Sequence, residues 1–155
     1  LRNQGMEKKY ENEIAGFNCR MTDIHACIGR TQLQKVAKWT NQRIANAHFL
    51  NENLKGVVTP YVPLNSTHVY HQYTIRVLGD DRDRFASELL KKGVSCNVYY
   101  PTPVHRLPAY GLKLYLPNTE SACKEVLSLP VHPALSQQDL EKIVDSVNSL
   151  SCCGV

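Results

Sequence analysis

Residues 22–56 read TDIHACIGRTQLQKVAKWTNQRIANAHFLNENLKG. Within them Ile24, Ile28, Leu33, Val36, Ile44, Ala47, Leu50 and Leu54 recur mostly at three- and four-residue intervals, the spacing that stacks side chains on one helical face. Thr22 stands where an N-cap belongs, Asp23 adds favourable charge to the first turn, and Gly56 provides the stop. A helix from about Asp23 to about Lys55 rises roughly 50 Å at ~1.5 Å per residue. That exceeds the width of a small domain, so the helix is expected to link two bodies or to bend, with Gly29 as the place for a bend.

Downstream, short apolar runs alternate with turn residues. Strands are expected at Val57-Val58-Thr59, from His68 to Leu78, from Val94 to Tyr100 and at Leu127-Ser128-Leu129, halted by Pro60, Pro101 and Pro130. In the second of these, alternation places His68, Tyr70 and Gln72 on one face and His71 and Tyr73 on the other. Helices are expected from Arg82 to Lys92, with Phe85, Leu89 and Leu90 as the apolar side and Gly93 as the stop, and from Thr119 or Glu120 to about Val126. A last helix runs from Ser136 to about Leu150, where Ser136-x-x-Asp139 is close to a capping box. Residues 104–118 carry a proline or glycine every few positions and read as a loop with a helical turn around Leu107–Tyr110. The expected fold is α+β: residues 1–21 a polar connector, 22–55 a long linking helix, 56–150 a small mainly antiparallel sheet covered by helices, and 151–155 a disordered tail.

Composition narrows the function classes. The chain has 155 residues, and Lys+Arg 18 against Asp+Glu 14 gives 18 − 14 = +4, with no Lys/Arg run longer than a pair. That balance and the absence of an RNA- or DNA-binding motif argue against nucleic acid as a partner. No apolar stretch approaches the ~20 residues of a membrane span. The six cysteines share no repeated spacing, and Cys19, His25 and Cys27 lack the CxxC knuckles of structural zinc, so free thiols and a cytoplasmic location are expected. The start, Leu1-Arg2-Asn3-Gln4-Gly5, has neither an initiator Met nor a signal peptide. A fragment of a longer protein is the expectation.

Three clusters carry candidate chemistry. In Gly16-Phe17-Asn18-Cys19-Arg20-Met21, Asn18 and Arg20 stand just ahead of the long helix, where amide and guanidinium donors meet a phosphate or carboxylate favourably; the alternative is that Asn18 turns the chain and Arg20 pairs with a nearby acid. Tyr99-Tyr100-Pro101-Thr102-Pro103-Val104-His105 gathers aromatic, hydroxyl and imidazole groups at a strand end, suited to a sugar or nucleotide, or else forms a proline-braced corner with its tyrosines half in the core. In the third, His68 to Tyr73, cross-strand packing is the expected role. No phosphate-binding glycine loop, GxSxG elbow, HExxH pair or paired-carboxylate motif is present.

Taken in order, these segments resemble one family. Gly16-Phe17-Asn18-Cys19-Arg20-Met21, continuing through Ala26, Gly29, Gln32-Leu33 and Arg43, is similar to the G-x-N-x-R-M-x-x-x-x-A-x-x-G-x-x-Q-L…R segment of the DegT/DnrJ/EryC1/StrS sugar aminotransferases. The resemblance continues through His71-Gln72-Tyr73, Gly93-Val94 to His105, and Leu127-Ser128-Leu129-Pro130-Val131-His132-Pro133; Leu1 to Gly5 looks like the family's L-R-x-H-G, with Gln4 in place of His.

The resemblance implies the C-terminal small domain of an aspartate-aminotransferase-like fold, working as a homodimer with pyridoxal phosphate. It implies transfer of an amino group from glutamate to a keto group on a nucleotide-linked sugar, the cofactor acting as electron sink. It also implies that Asn18 reaches the cofactor phosphate of the neighbouring subunit, that Arg20 lies close by, and that Tyr99, Tyr100 and His105 belong to the substrate region. Where relatives often have His-Tyr-Pro, this chain has Tyr99-Tyr100-Pro101. The family's Schiff-base lysine lies in a Ser/His-rich, Gly-followed setting that none of the ten lysines here occupies, so the isolated chain is expected to be inactive. Two other readings stay open: a binding module without catalysis, and part of a related pyridoxal-phosphate-dependent sugar dehydratase.

Overall fold

The structure, a computed structural model, describes residues 3–8, 10–79 and 81–151. They fall into two compact units, Leu1–Ala37 and Lys38–Val155. The boundary between them lies inside the long helix, α1, which runs Asp23–Asn53 without a break at Gly29. Its N-terminus is closed as expected, the Thr22 hydroxyl oxygen accepting from the His25 N–H at 3.3 Å.

In the first unit the expected connector carries structure. β1 (Met6–Lys8) and β2 (Glu11–Asn12) form a small antiparallel ladder. The sequence signal for it is weak because the segment is polar on both faces, and what holds it is backbone pairing: Gln4 N–H to the Phe17 carbonyl at 2.8 Å and Glu13 N–H to the Gly5 carbonyl at 3.0 Å. Gly5 sits at φ +74° with the Ile14 backbone where a Cβ would project, so only glycine is accommodated there. The apolar stripe of the first half of α1 is exposed, with Ile24 at 74% and Leu33 at 71% of their full accessibility.

The second unit holds the core. β3 (Tyr73–Arg76) and β4 (Val126–Leu129) pair antiparallel, Tyr73 opposite Leu129 and Arg76 opposite Val126. Single bridges extend the sheet on both edges, Val58 to Arg76 and Asn97 to Ser128. The expected strands at 57–59 and 94–100 are thus reduced to one paired residue each. The expected strand at 68–78 is also shorter, because Tyr70 adopts φ +47° and its N–H donates to His68 Nδ1 at 2.8 Å, a local turn that ends the extended run. This turn resets the alternation: Tyr70 and Tyr73, expected on opposite faces, are both buried. The Tyr73 hydroxyl donates to Asn51 Oδ1 at 2.7 Å, and burial, with Tyr70 adding to it, pushes its pKa well above the ordinary tyrosine value.

Two helices and the end of α1 supply the core side chains that cover this sheet, and a further helix leads into β4. α2 (Arg82–Lys91) buries Phe85 and Leu89, whereas Leu90, expected on the same side, is exposed. α2 stops in a Schellman turn, Val94 N–H to the Leu89 carbonyl and Gly93 N–H to that of Leu90, with Gly93 at φ +77°. α3 (Pro117–Glu125) begins two residues earlier than expected because Pro117 serves as its first residue. α4 (Gln137–Ser151) opens on the expected capping box, Asp139 N–H to Ser136 Oγ at 3.2 Å and Ser136 N–H to Asp139 Oδ2 at 2.9 Å. It includes Ser151; the rest of the expected tail, 152–155 with Cys152 and Cys153, lies outside the described residues. Asn148 on α4 satisfies the end of α1, accepting from the Lys55 N–H at 2.8 Å and donating to the Asn53 carbonyl at 3.0 Å. No helix among the described residues is long and apolar enough to cross a membrane.

Leu127 is fully buried opposite Ile75. Leu127→Ala is expected to cost about 2–5 kcal/mol in urea unfolding, while Leu33→Ala stays within about 0.5 kcal/mol; equal effects would contradict this placement of the core.

Candidate functional site

Asn18 and Arg20 lie together on the surface of the first unit, where the chain approaches α1. Arg20 Nε donates to Asn18 Oδ1 at 3.0 Å, and Asn18 is bridged through its backbone to Asn3. Arg20 makes no ion pair with any described acid. The pairing engages the amide oxygen, and among the described residues Asn18 Nδ2 and the two terminal guanidinium nitrogens of these exposed side chains have no hydrogen-bond partner. A donor-only set of one amide and one guanidinium matches the acceptor-only oxygens of a phosphate.

In the second unit Tyr99 and Tyr100 stand edge to face with ring centroids 5.9 Å apart. Tyr99 lines a cleft of about 420 Å³ at one end of the sheet; Tyr100 is exposed and outside that lining. Arg43, Asn97 and His132 share the cleft with Tyr99. All three fall in segments that carry the family resemblance, yet sequence reasoning gives them no role, because they arrive from three separate segments that only the fold brings together.

A family model described as the DegT/DnrJ/EryC1/StrS aminotransferase family matches residues 1–148. The chain belongs to this family. It is 33% identical over 154 residues to dTDP-3-amino-3,4,6-trideoxy-alpha-D-glucose transaminase of Streptomyces venezuelae, covering 95% of this chain and 40% of that protein. It is also 33% identical over 156 residues to a Geobacillus stearothermophilus protein named pleiotropic regulatory protein, covering 95% of this chain and 41% of that one. Among solved structures, S. venezuelae DesV in complex with a ketimine intermediate is similar with a TM-score of 0.87 at 32% identity, over 97% of this chain and 42% of that chain. The chain therefore spans about two fifths of the length of these DegT-family relatives.

His105, grouped with the tyrosines in sequence, has a different setting in this family member. It is 8% exposed, with Nε2 3.3 Å from Glu120 Oε1. The same carboxylate oxygen accepts from Arg106 Nη2 at 2.9 Å and from the Leu116 N–H at 3.4 Å, and the Leu112 N–H donates to the His105 carbonyl at 2.9 Å. Glu120 thus ties both ends of the 104–116 loop to α3, the loop that follows Tyr99 and Tyr100. The Arg106 hydrogen bond first, then those from Leu116 and His105, hold the Glu120 carboxyl below its ordinary 4.5.

A carboxyl lowered in the folded state stabilises the fold at pH values above its unfolded pKa, and that contribution disappears as pH falls through the lower folded value. Glu120→Gln is therefore expected to lower the thermal midpoint at neutral pH and to flatten its decline between about pH 5 and pH 3, followed by circular dichroism. An unchanged acid slope would argue that Glu120 does not hold the loop.

Proposed function

We propose that this chain is the C-terminal part of a pyridoxal-phosphate-dependent aminotransferase that acts on a keto-sugar nucleotide in the cytoplasm, with glutamate as amino donor and a homodimer as the working form. In this reading residues 1–21 end the large domain, 22–55 form the linking helix and the small C-terminal domain follows from residue 56 through α4. The observation that carries the proposal is the family match over residues 1–148, with the Asn18–Arg20 donor pair falling in the segment that resembles the family's phosphate-reaching motif.

The residues present fit one portion of the cofactor. Asn18 Nδ2 and the Arg20 guanidinium offer the donors for its phosphate, and when bound the cofactor provides the electron sink for amino transfer. The chain's own side chains then do three things: Asn18 and Arg20 fix an anion, Tyr99 and Tyr100 present ring faces and hydroxyls to substrate, and the Glu120 cluster with His105 sets the loop behind them. A nucleophilic lysine needs desolvation or a neighbouring cation to lose its proton near neutral pH. Every described lysine is exposed to solvent, which supports a nucleophile supplied from outside this chain.

The isolated chain mixed with pyridoxal phosphate, glutamate and a keto-sugar nucleotide is expected to show no cofactor absorbance shift and no transamination; clear turnover would overturn the proposal. In mixed dimers of the full-length enzyme, Asn18→Ala with Arg20→Ala is expected to weaken cofactor retention in the partner's site about tenfold or more. Unchanged retention would assign both residues a structural role.

A further inference from the structure

At the end of the sheet where β3 begins and β4 finishes, the 420 Å³ cleft is lined by Arg43 from α1, His71 just ahead of β3, Asn97 and Tyr99 from the segment after α2, Ser128 on β4, and His132 beyond it. Its volume is that of a small-molecule site, and like such sites it combines apolar walls, here Leu129, Pro130 and Val131, with a few polar groups. The polar groups are a guanidinium, two imidazoles, two amides, two hydroxyls and a phenol, and none of the lining residues is Asp or Glu.

The polar groups are held in place by the fold. Arg43 is half-buried, and its Nη1 donates to the Tyr70 carbonyl at 3.3 Å, leaving Nε and Nη2 without a partner among the described residues. His132 is stationed through its own carbonyl, which accepts from Asn46 Nδ2 at 3.1 Å; Asn46 is 2% exposed and accepts in turn from Gln42 Nε2 at 3.1 Å. Asn97 and Ser128 are fixed by reciprocal backbone bonds of 3.1 and 2.7 Å. A guanidinium that is half out of water, anchored by one nitrogen and facing no carboxylate, retains a planar pair of donors for an incoming anion and has no ion pair to surrender first.

We propose that this cleft binds an anionic group, a carboxylate or a phosphate, with Arg43 as the principal donor and His71, His132 and Asn97 around it. The assignment deepens the function proposed above and rests on it only for the ligand's source: glutamate offers carboxylates, the nucleotide offers phosphates. Anion capture itself needs neither the cofactor nor turnover.

The test is a titration of the 155-residue chain, followed by nuclear magnetic resonance of the Arg43 side chain and the His71 and His132 rings, with inorganic phosphate, L-glutamate and UDP as separate probes. Saturable shifts confined to the cleft are expected with at least one probe. Phosphate and UDP shifting these signals while glutamate does not assigns the nucleotide as the source; the reverse assigns the amino donor. Arg43→Gln is expected to weaken binding about tenfold with the remaining spectrum native, and His71→Gln, which removes no hydrogen bond seen in the fold, serves if Arg43→Gln does not fold. Absence of saturation with all three probes, or binding unaltered in a folded variant, overturns the inference and leaves the aminotransferase assignment untouched.

Discussion

The four residue pairs between β3 and β4 are the constraint on which the second unit depends. Tyr73 opposite Leu129 and Ile75 opposite Leu127 face inward, and all four are buried. On the other face Thr74 and Ser128 share a hydroxyl hydrogen bond of 2.8 Å. A two-stranded ladder this short is marginal alone, so the core side chains of α1, α2 and α4 must close over it before it is stable. Both ends of the ladder are then put to use. At one, Arg82, itself 6% exposed, donates to the Val126 and Cys123 carbonyls at 2.8 and 3.3 Å and satisfies the end of α3, while Arg76 Nε bonds Glu125 at 2.8 Å. At the other, the chain entering β3 and the chain leaving β4 diverge and leave the cleft that Tyr99 borders.

Features written in local sequence were legible. Helix α1 announced itself by spacing and Thr22, α4 by the Ser136–Asp139 pair, and the end of α2 by Gly93, because each depends on residues within a turn or two of one another. Pairing across the sheet was not. Val58 and Asn97 contribute one bridge each, and their partners lie 18 and 31 positions away. Nothing in the run from His68 to Leu78 warned that Tyr70 would take a left-handed backbone, since alternation assumes extended residues throughout. The β1–β2 ladder was invisible for the opposite reason: it buries little, so it leaves no apolar pattern to read.

The same division governs the site. Asn18 and Arg20 are two residues apart and form a direct hydrogen bond, so a short motif is enough to bring these two candidates together. Tyr99 and Tyr100 are neighbours in the sequence as well, and of the two only Tyr99 lines the cleft. Its companions Arg43 and His132 come from positions 56 residues before and 33 after it, and Glu120 reaches His105 across 15 residues. Sequence proximity placed His105 with the tyrosines; burial against Glu120 gives it a structural connection to the loop that carries on from them.

The exposure of the Asn18–Arg20 pair bears on how a cofactor phosphate is to be held in the proposed enzyme. A unit charge pair at 4 Å is worth about 1 kcal/mol in bulk water and about 4 kcal/mol at the lower effective dielectric of a protein surface. In the first unit both side chains stand in solvent, where their donors compete with water and retain an anion weakly. The same donors become effective once another surface excludes water from them, which raises each interaction without changing the residues. A pair already oriented by its own 3.0 Å hydrogen bond loses little freedom when that happens. Within the proposed reading, donors fixed in advance but left wet suit a site from which a further surface excludes water.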